Sequence, residues 1–169
     1  MDSDTPAEEE IQDISVNDPG LLSLKNAMSN YQNFDNLTFS LTDGIPTMLV
    51  GPGDVNHICS FIKNDPTIDG QMLLCMAGVD YEDYAQIVYI IYSLNNNETL
   101  VIKSNLNYDQ SIDSVANIWA AANWYEREIH DLYGILFDGN EDMSPLLLYE
   151  GFEGYPGRKD YPFYEYDEF

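Results

Sequence analysis

Apolar positions along the 169 residues follow two periods, and each period predicts its own kind of element. In "GPGDVNHICSFIKNDP", Val55, Ile58, Cys59 and Ile62 recur at steps of three and four. Asp54 stands ahead of them as an N-cap and Pro66 ends the run, so a helix is predicted. A second stripe (Val115, Ile118, Ala122, Tyr125, Ile129, Leu132) predicts a helix from Ser114 to Tyr133, with Gly134 suited to the left-handed position after it. A shorter helix is expected over residues 21–30. Elsewhere the period is two. "LTFSLTDGIPTMLV" predicts two short strands about a turn at Asp43–Gly44. "QIVYIIYSL", then "NNNE", then "TLVIKSNL" predicts a hairpin of β-branched and aromatic strands. "MLLCMAGVDY" reads as a buried strand ending at Gly78.

After Ile135 no period persists. The segment is long and punctuated by Gly and Pro, yet rich in aromatics, which favours an extended course across a partner surface over plain disorder. These elements predict an α+β fold: a small mixed or antiparallel sheet covered by helices, with an extended C-terminal tail. Three regions follow. Residues 1–20, acidic, without Lys or Arg and closing in "NDPG", are expected to be a mobile tail. Residues 21–137 form the core domain, and residues 138–169 the extended partner-docking segment.

Charge narrows the function. Thirty acids against six bases give a formal net charge of −24. Nonspecific nucleic-acid binding, which needs clustered Lys and Arg, is excluded, and so is attachment to anionic lipid through a basic patch. A permanent basic partner would offset the self-repulsion, as would a salty cytoplasm, but a chain rich in Asn and Ile fits the latter less well. The apolar runs are far shorter than the ~20 residues of a membrane span, and "MDSDTPAEEE" has no secretory pattern, so no direct membrane span is expected. Cys59 and Cys75 are too few for a disulfide framework or an iron–sulfur cluster and read as buried thiols in a reducing cytosol.

Candidate chemistry concentrates in "ANWYEREIHDLYGI". Glu126 and His130 share a helical face, but a metal needs three or four ligands and His57 lies on a separate helix. "VGPGD" lacks the third glycine and the lysine of nucleotide-binding loops, and no serine sits in a nucleophile elbow. Asp80, Glu82 and Asp83 lack EF-hand spacing and read as a solvated turn. The expectation is a chain with no catalytic, cofactor-binding or metal residues of its own. Ion pairs from Arg127 to Asp131 and from Glu126 to His130 would contribute only ~0.3–0.5 kcal/mol each when exposed, too little to explain the clustering.

"VANIWAAANWYEREIHDLYGILFDGN" followed by "GFEGYPGRKDYP" resembles the signature of the C subunit of NADH-quinone oxidoreductase, respiratory complex I. That family extends to archaeal and chloroplast-type dehydrogenases and to membrane-bound nickel–iron hydrogenases. The matching positions begin with Trp119, Asn123, Trp124, Glu126, Arg127, Glu128, Asp131 and Gly134. They resume at Gly154, Pro156, Arg158, Lys159, Asp160 and Pro162. One departure is a stretch with two fewer positive charges than the family's Gly-His-Pro-Asp-Leu-Arg-Arg: here it reads Gly139-Asn140-Glu141-Asp142-Met143-Ser144-Pro145.

The resemblance implies a peripheral subunit without a redox centre on the cytoplasmic face of the cell membrane. It would dock the large quinone-site subunit beside the iron–sulfur subunits and support electron transfer to quinone coupled to ion translocation. Iron–sulfur clusters and a quinone would belong to the complex, not to this chain. A hydrogenase-like large subunit with a nickel–iron centre is the alternative, and a free-standing acidic binding module is a second. Trp124 is expected to be either a core ring or a ring projecting into the partner. Arg158 and Lys159 are expected to pair with acids, on that neighbour or on this chain's own tail.

Overall fold

The structure, a computed structural model, describes residues 18–29, 31 and 37–162. The acidic N-terminal stretch 1–17 and the last residues, 163–169, lie outside the described residues.

Helix α1, Pro19–Met28, starts two residues earlier than its apolar pattern suggests, because Asp18 caps it by accepting the Leu21 N–H at 2.9 Å and proline occupies the first turn. The hairpin β1 (Thr38–Thr42) and β2 (Ile45–Leu49) turns at Asp43 and Gly44, both at positive φ. A 3-10 turn, Pro52–Asp54, leads into α2, Val55–Asn64, whose Val55, Ile58, Cys59 and Ile62 are buried as their spacing requires. Strand β3, Met72–Asp80, runs two residues past the predicted end at Gly78 and carries a bulge between Leu73 and Cys75. Strands β4 (Ala85–Ser93) and β5 (Glu98–Leu106) form the expected antiparallel hairpin.

These strands make one mixed sheet in the order β1-β2-β5-β4-β3, parallel only where β2 meets β5. Its core face carries Met48, Met76, Ile87, Tyr89, Ile91 and Ile102, all at most 3% exposed. An α+β architecture results, as the sequence predicts.

The second helix departs from its reading. Helix α3 is Ala122–Tyr133; residues 114–121 are turns, and Ser114 does not cap it. Carbonyls of this stretch are taken by α2: Asn56 Nδ2 donates to Ser114 O at 2.5 Å, and Lys63 Nζ donates to Ile118 O. The Ser114 N–H goes to Asp138 O at 2.8 Å, which continues a small sheet. That sheet pairs β6 (Ser111–Asp113) with β7 (Leu136–Asp138), a strand that no period in the sequence distinguishes. The pairing is parallel and therefore needs a crossover, which α3 supplies. Gly134 takes the left-handed position after α3 (φ 72°), and its N–H bonds to His130 O at 2.8 Å. Residues 139–162 contain no helix or strand.

Candidate functional site

Helix α3 organises everything around it through three charged side chains, each aimed at a different stretch of backbone. Glu126 points inward and is fully buried. Its carboxylate accepts the Ser114 hydroxyl, the Val115 N–H and the Asn140 Nδ2, each at 2.8 Å. One side chain thus ties together the residues that follow β6 and the residue two after β7. Burial raises the Glu126 carboxyl above its ordinary range, against the pull of these donors. The expected pairing with His130 is absent: His130 Nδ1 lies 2.9 Å from Ile135 O instead.

Asp131 and Arg127 hold the segment that follows. Asp131 Oδ2 accepts the backbone N–H groups of Leu146, Leu147 and Leu148 at 2.7, 2.8 and 3.2 Å. Burial alone would raise this carboxyl, but the three N–H donors, with His130 nearby, outweigh it and hold it below the ordinary carboxylate range. Arg127 donates to Ser144 O at 2.9 Å and Pro145 O at 3.1 Å, and lies 3.5 Å from Asp142. The expected Arg127–Asp131 pair is therefore not formed. Both residues are more strongly engaged by carbonyls and amides that a helical wheel does not display.

The second half of the motif folds back on the same helix. Arg158 Nε donates to Tyr133 O at 2.7 Å, and its guanidinium stacks on Tyr108 at 3.9 Å and Tyr155 at 4.5 Å from the ring centroids. Lys159 donates its backbone N–H to Asp80 at 2.7 Å and pairs its ammonium with Glu82 at 3.5 Å. Of the three acids read as a solvated turn, Glu82 and Asp83 are exposed, and Asp80, the last residue of β3, is an anchor. Burial would raise Asp80, but the N–H groups of Lys159 and Glu82 outweigh it and hold the carboxyl low. Close packing fixes the glycines: a Cβ on Gly134 would lie 2.4 Å from the Tyr155 ring, and one on Gly154 would lie 2.8 Å from Tyr161.

The remaining motif residues divide between interior and surface. Trp119 is buried at 5% exposure, and its indole N–H finds no partner among the described residues. Asn123 and Pro156 are half-buried; Glu128, Asp160 and Pro162 are exposed. Trp124 is 61% exposed, with Arg127 5.6 Å from its ring, so it is not a core residue. Leu147 (59%) and Tyr149 (72%) project from the segment that Arg127 and Asp131 hold. Among the described residues no group of three or more His, Cys, Asp or Glu is placed to share a metal. No helix there is long and apolar enough to cross a membrane.

Ser114, Asp80, Tyr108 and Tyr155 carry parts of this site that sequence reasoning missed. They act across long separations, and only the two linked motifs hinted that residues 119–135 and 151–162 meet.

The model of the family described as "Respiratory-chain NADH dehydrogenase, 30 Kd subunit" matches residues 48–167. In Rhizobium meliloti, the second of the NADH-quinone oxidoreductase C subunits is 37% identical over 128 residues, 74% of this chain and 70% of that protein. The C subunit of the NADH-quinone oxidoreductase of Chelativorans sp. is 40% identical over 119 residues, 69% of this chain and 60% of that one. Across such relatives the matched part of this chain spans from 41% to 70% of their length. The solved structure of the membrane-bound sulfane sulfur reductase, an archaeal respiratory membrane complex, contains a chain with the same fold. Its TM-score is 0.68 at 22% identity, over 82% of this chain and 83% of that one. Both motif halves around α3 lie inside the matched region, and the chain belongs to the family of the 30 Kd, or C, subunit of the respiratory NADH dehydrogenase.

Proposed function

We propose that this chain is a peripheral subunit of a quinone-reducing, ion-translocating membrane complex and carries no redox centre itself. Its role is to dock the large quinone-site subunit, beside the iron–sulfur subunits, on the cytoplasmic face. The observation that carries this reading is how the α3 charges are used. Arg127 and Asp131 spend their hydrogen-bonding capacity on residues 142–148 of their own chain, and Arg158 spends its on Tyr133. Facing outward, alongside the exposed acids Glu128, Glu141 and Glu150, are three large apolar or aromatic side chains: Trp124, Leu147 and Tyr149.

Large exposed side chains carried on a helix and on the segment it holds suit an interface, where buried aromatic anchors dominate the binding energy. The names of the relatives support quinone as the acceptor over the hydrogenase alternative. Residues 138–169 serve as the docking segment in this reading, with Trp124 projecting towards the partner.

The test is purification of the tagged full chain from detergent-extracted membranes of its own cells. Wild type is expected to bring down a complex with NADH-quinone reductase activity. Trp124→Ala should keep the melting temperature of the free chain while losing the complex, since little area of that ring is buried in the domain. Trp124→Ala and Tyr149→Ala together, with normal co-purification and normal rate, would remove the docking role.

A further inference from the structure

The five-stranded sheet has two faces, and the helices cover only one. Residues in register across neighbouring strands point to the same side, so the pairing sorts them. The rows through Tyr89 and Ile87 form the core face. Helix α3 lies on it, because the space beside Gly78, which pairs with Ile87, is filled by Ile129 and Tyr133. Helix α2 meets the same face, with its Ile62 beside Ile91 at Gly70, and α1 meets it at Pro46.

The alternate rows look the other way. One is Cys75–Ile90–Val101 and the next is Ala77–Val88–Lys103–Leu49. A sheet with one face in water ordinarily turns polar side chains outward. This one carries Val88 and Ile90 half-buried and Leu49 at 36% exposure, with Val101 buried between its neighbours at 4%.

Charge makes the face unusual for this chain. Thirty of 169 residues are acids, yet none falls in these rows or in the adjoining Val79–Gln86–Asn105 row. The single charge is Lys103. Its ammonium donates to Thr42 Oγ1 at 3.3 Å and makes no ion pair among the described residues.

We propose that this outer sheet face docks a second protein subunit, whose apolar surface brings a carboxylate to Lys103. The inference rests on the reading of the chain as a subunit of an assembly, and it adds an interface on the side of the sheet away from α3. A second copy of this chain does not fit. A two-fold contact would press an acid-free face onto itself and bury two ammoniums without a counter-charge. Anionic lipid does not fit either, because a chain of net charge −24 is repelled by it. A partner of opposite local charge would instead let the Lys103 stem lie along the valines with its head paired.

The face carries its own reporter. Cys75 is half-buried within it, whereas Cys59 is fully buried, with its thiol pushed far up by burial, and serves as the silent control. Alkylation by N-ethylmaleimide is followed by mass spectrometry on the purified full chain and on the membrane-extracted complex. Cys75 should be alkylated in the free chain and protected in the complex. Lys103→Glu should restore alkylation in a complex that still holds the chain through its α3 side.

Alkylation of Cys75 in the wild-type complex at the free-chain rate would overturn this interface alone. A chain absent from any membrane complex would overturn the subunit reading and this proposal with it. An unreactive Cys75 in the free chain would show the face already covered, and unchanged protection in Lys103→Glu would remove the carboxylate; either result overturns the proposal. A photo-crosslinker at position 88 identifies the occupant. An Asp- or Glu-containing peptide from a different protein of the complex supports the proposal, and a peptide of this same chain or a lipid adduct refutes it.

Discussion

Replacing Glu126 separates two roles that its burial combines. The side chain is fully buried and is the common acceptor for Ser114, Val115 and Asn140. In Glu126→Ala the Val115 N–H, the Ser114 hydroxyl and the Asn140 amide lose that acceptor together. Each unsatisfied buried group costs about 1–3 kcal/mol, less wherever water enters the space left behind. The missing side-chain volume adds a packing loss, which for comparable buried side chains cut to Ala is ~2–5 kcal/mol in total. Because entering water meets some of the orphaned groups, the expected net loss is about 3–5 kcal/mol, a large share of the stability of a domain this size.

Glu126→Gln keeps the shape and one acceptor. Its oxygen can retain the Val115 N–H and the Ser114 hydroxyl can rotate to accept from its NH2, while the Asn140 amide can turn to accept only by giving up the Asp142 N–H that its oxygen now holds. Its loss at neutral pH should be far smaller, and the pH dependence supplies the sign. The folded Glu126 carboxyl sits above its unfolded value of about 4.3. Between the two values the folded state binds more protons than the unfolded state, so wild type loses stability as pH rises through that window. Gln has no such term. Urea melts of the full chain at a series of pH values should therefore show the Gln variant gaining on wild type from about pH 4.3 upward. A Gln variant that falls further behind wild type as pH rises would refute the argument. An Ala variant as stable as wild type would do the same.

Three further outcomes follow from the contacts around α3. Asp131→Asn should speed hydrogen exchange at Leu146, Leu147 and Leu148. Because the folded Asp131 carboxyl is held low, its wild-type contribution is present above the unfolded value of about 3.9 and is lost as pH falls through the folded one. Gly134→Ala should destabilise by more than the roughly 1 kcal/mol of a simple left-handed penalty, since its Cβ would fall 2.4 Å from the Tyr155 ring; adding Tyr155→Ala should recover part of the loss in thermal melts. Arg158→Lys should expose the 151–162 segment to limited proteolysis, because an ammonium cannot stack flat on Tyr108 and Tyr155 while reaching Tyr133 O.

The reach of the sequence differs sharply between strands and charged side chains, and the reason is physical. Strand and helix periodicities are set by burial, so Ile58, Ile62, Ile87 and Ile91 declare their core positions through spacing alone. The sheet and two of the three helices were legible for that reason. Charges carry no such rhythm. Glu126, Arg127 and Asp131 look like an i, i+4 ladder on paper, and a ladder is what the local pattern predicts. Their true partners stand 11 to 18 residues away along the chain: Glu126 reaches back to Ser114 and Val115, and Arg127 and Asp131 reach forward to a segment with no period at all.

A long-range bond to a backbone amide leaves no mark at the acceptor's partner, because every residue but proline offers the same N–H. Leu146, Leu147 and Leu148 are indistinguishable by type from any other donors, so Asp131's role was hidden until the fold closed over it. The helix start at Ala122 was missed for the same reason: Asn56 and Lys63 occupy carbonyls that the stripe Val115, Ile118 had assigned to a helix. What the sequence did display was density. Acids and bases that satisfy one another's chain rather than water must be packed closely along α3, and the crowding of "NWYEREIHD" is the trace of a helix whose charges serve as clamps for the segment that follows β7.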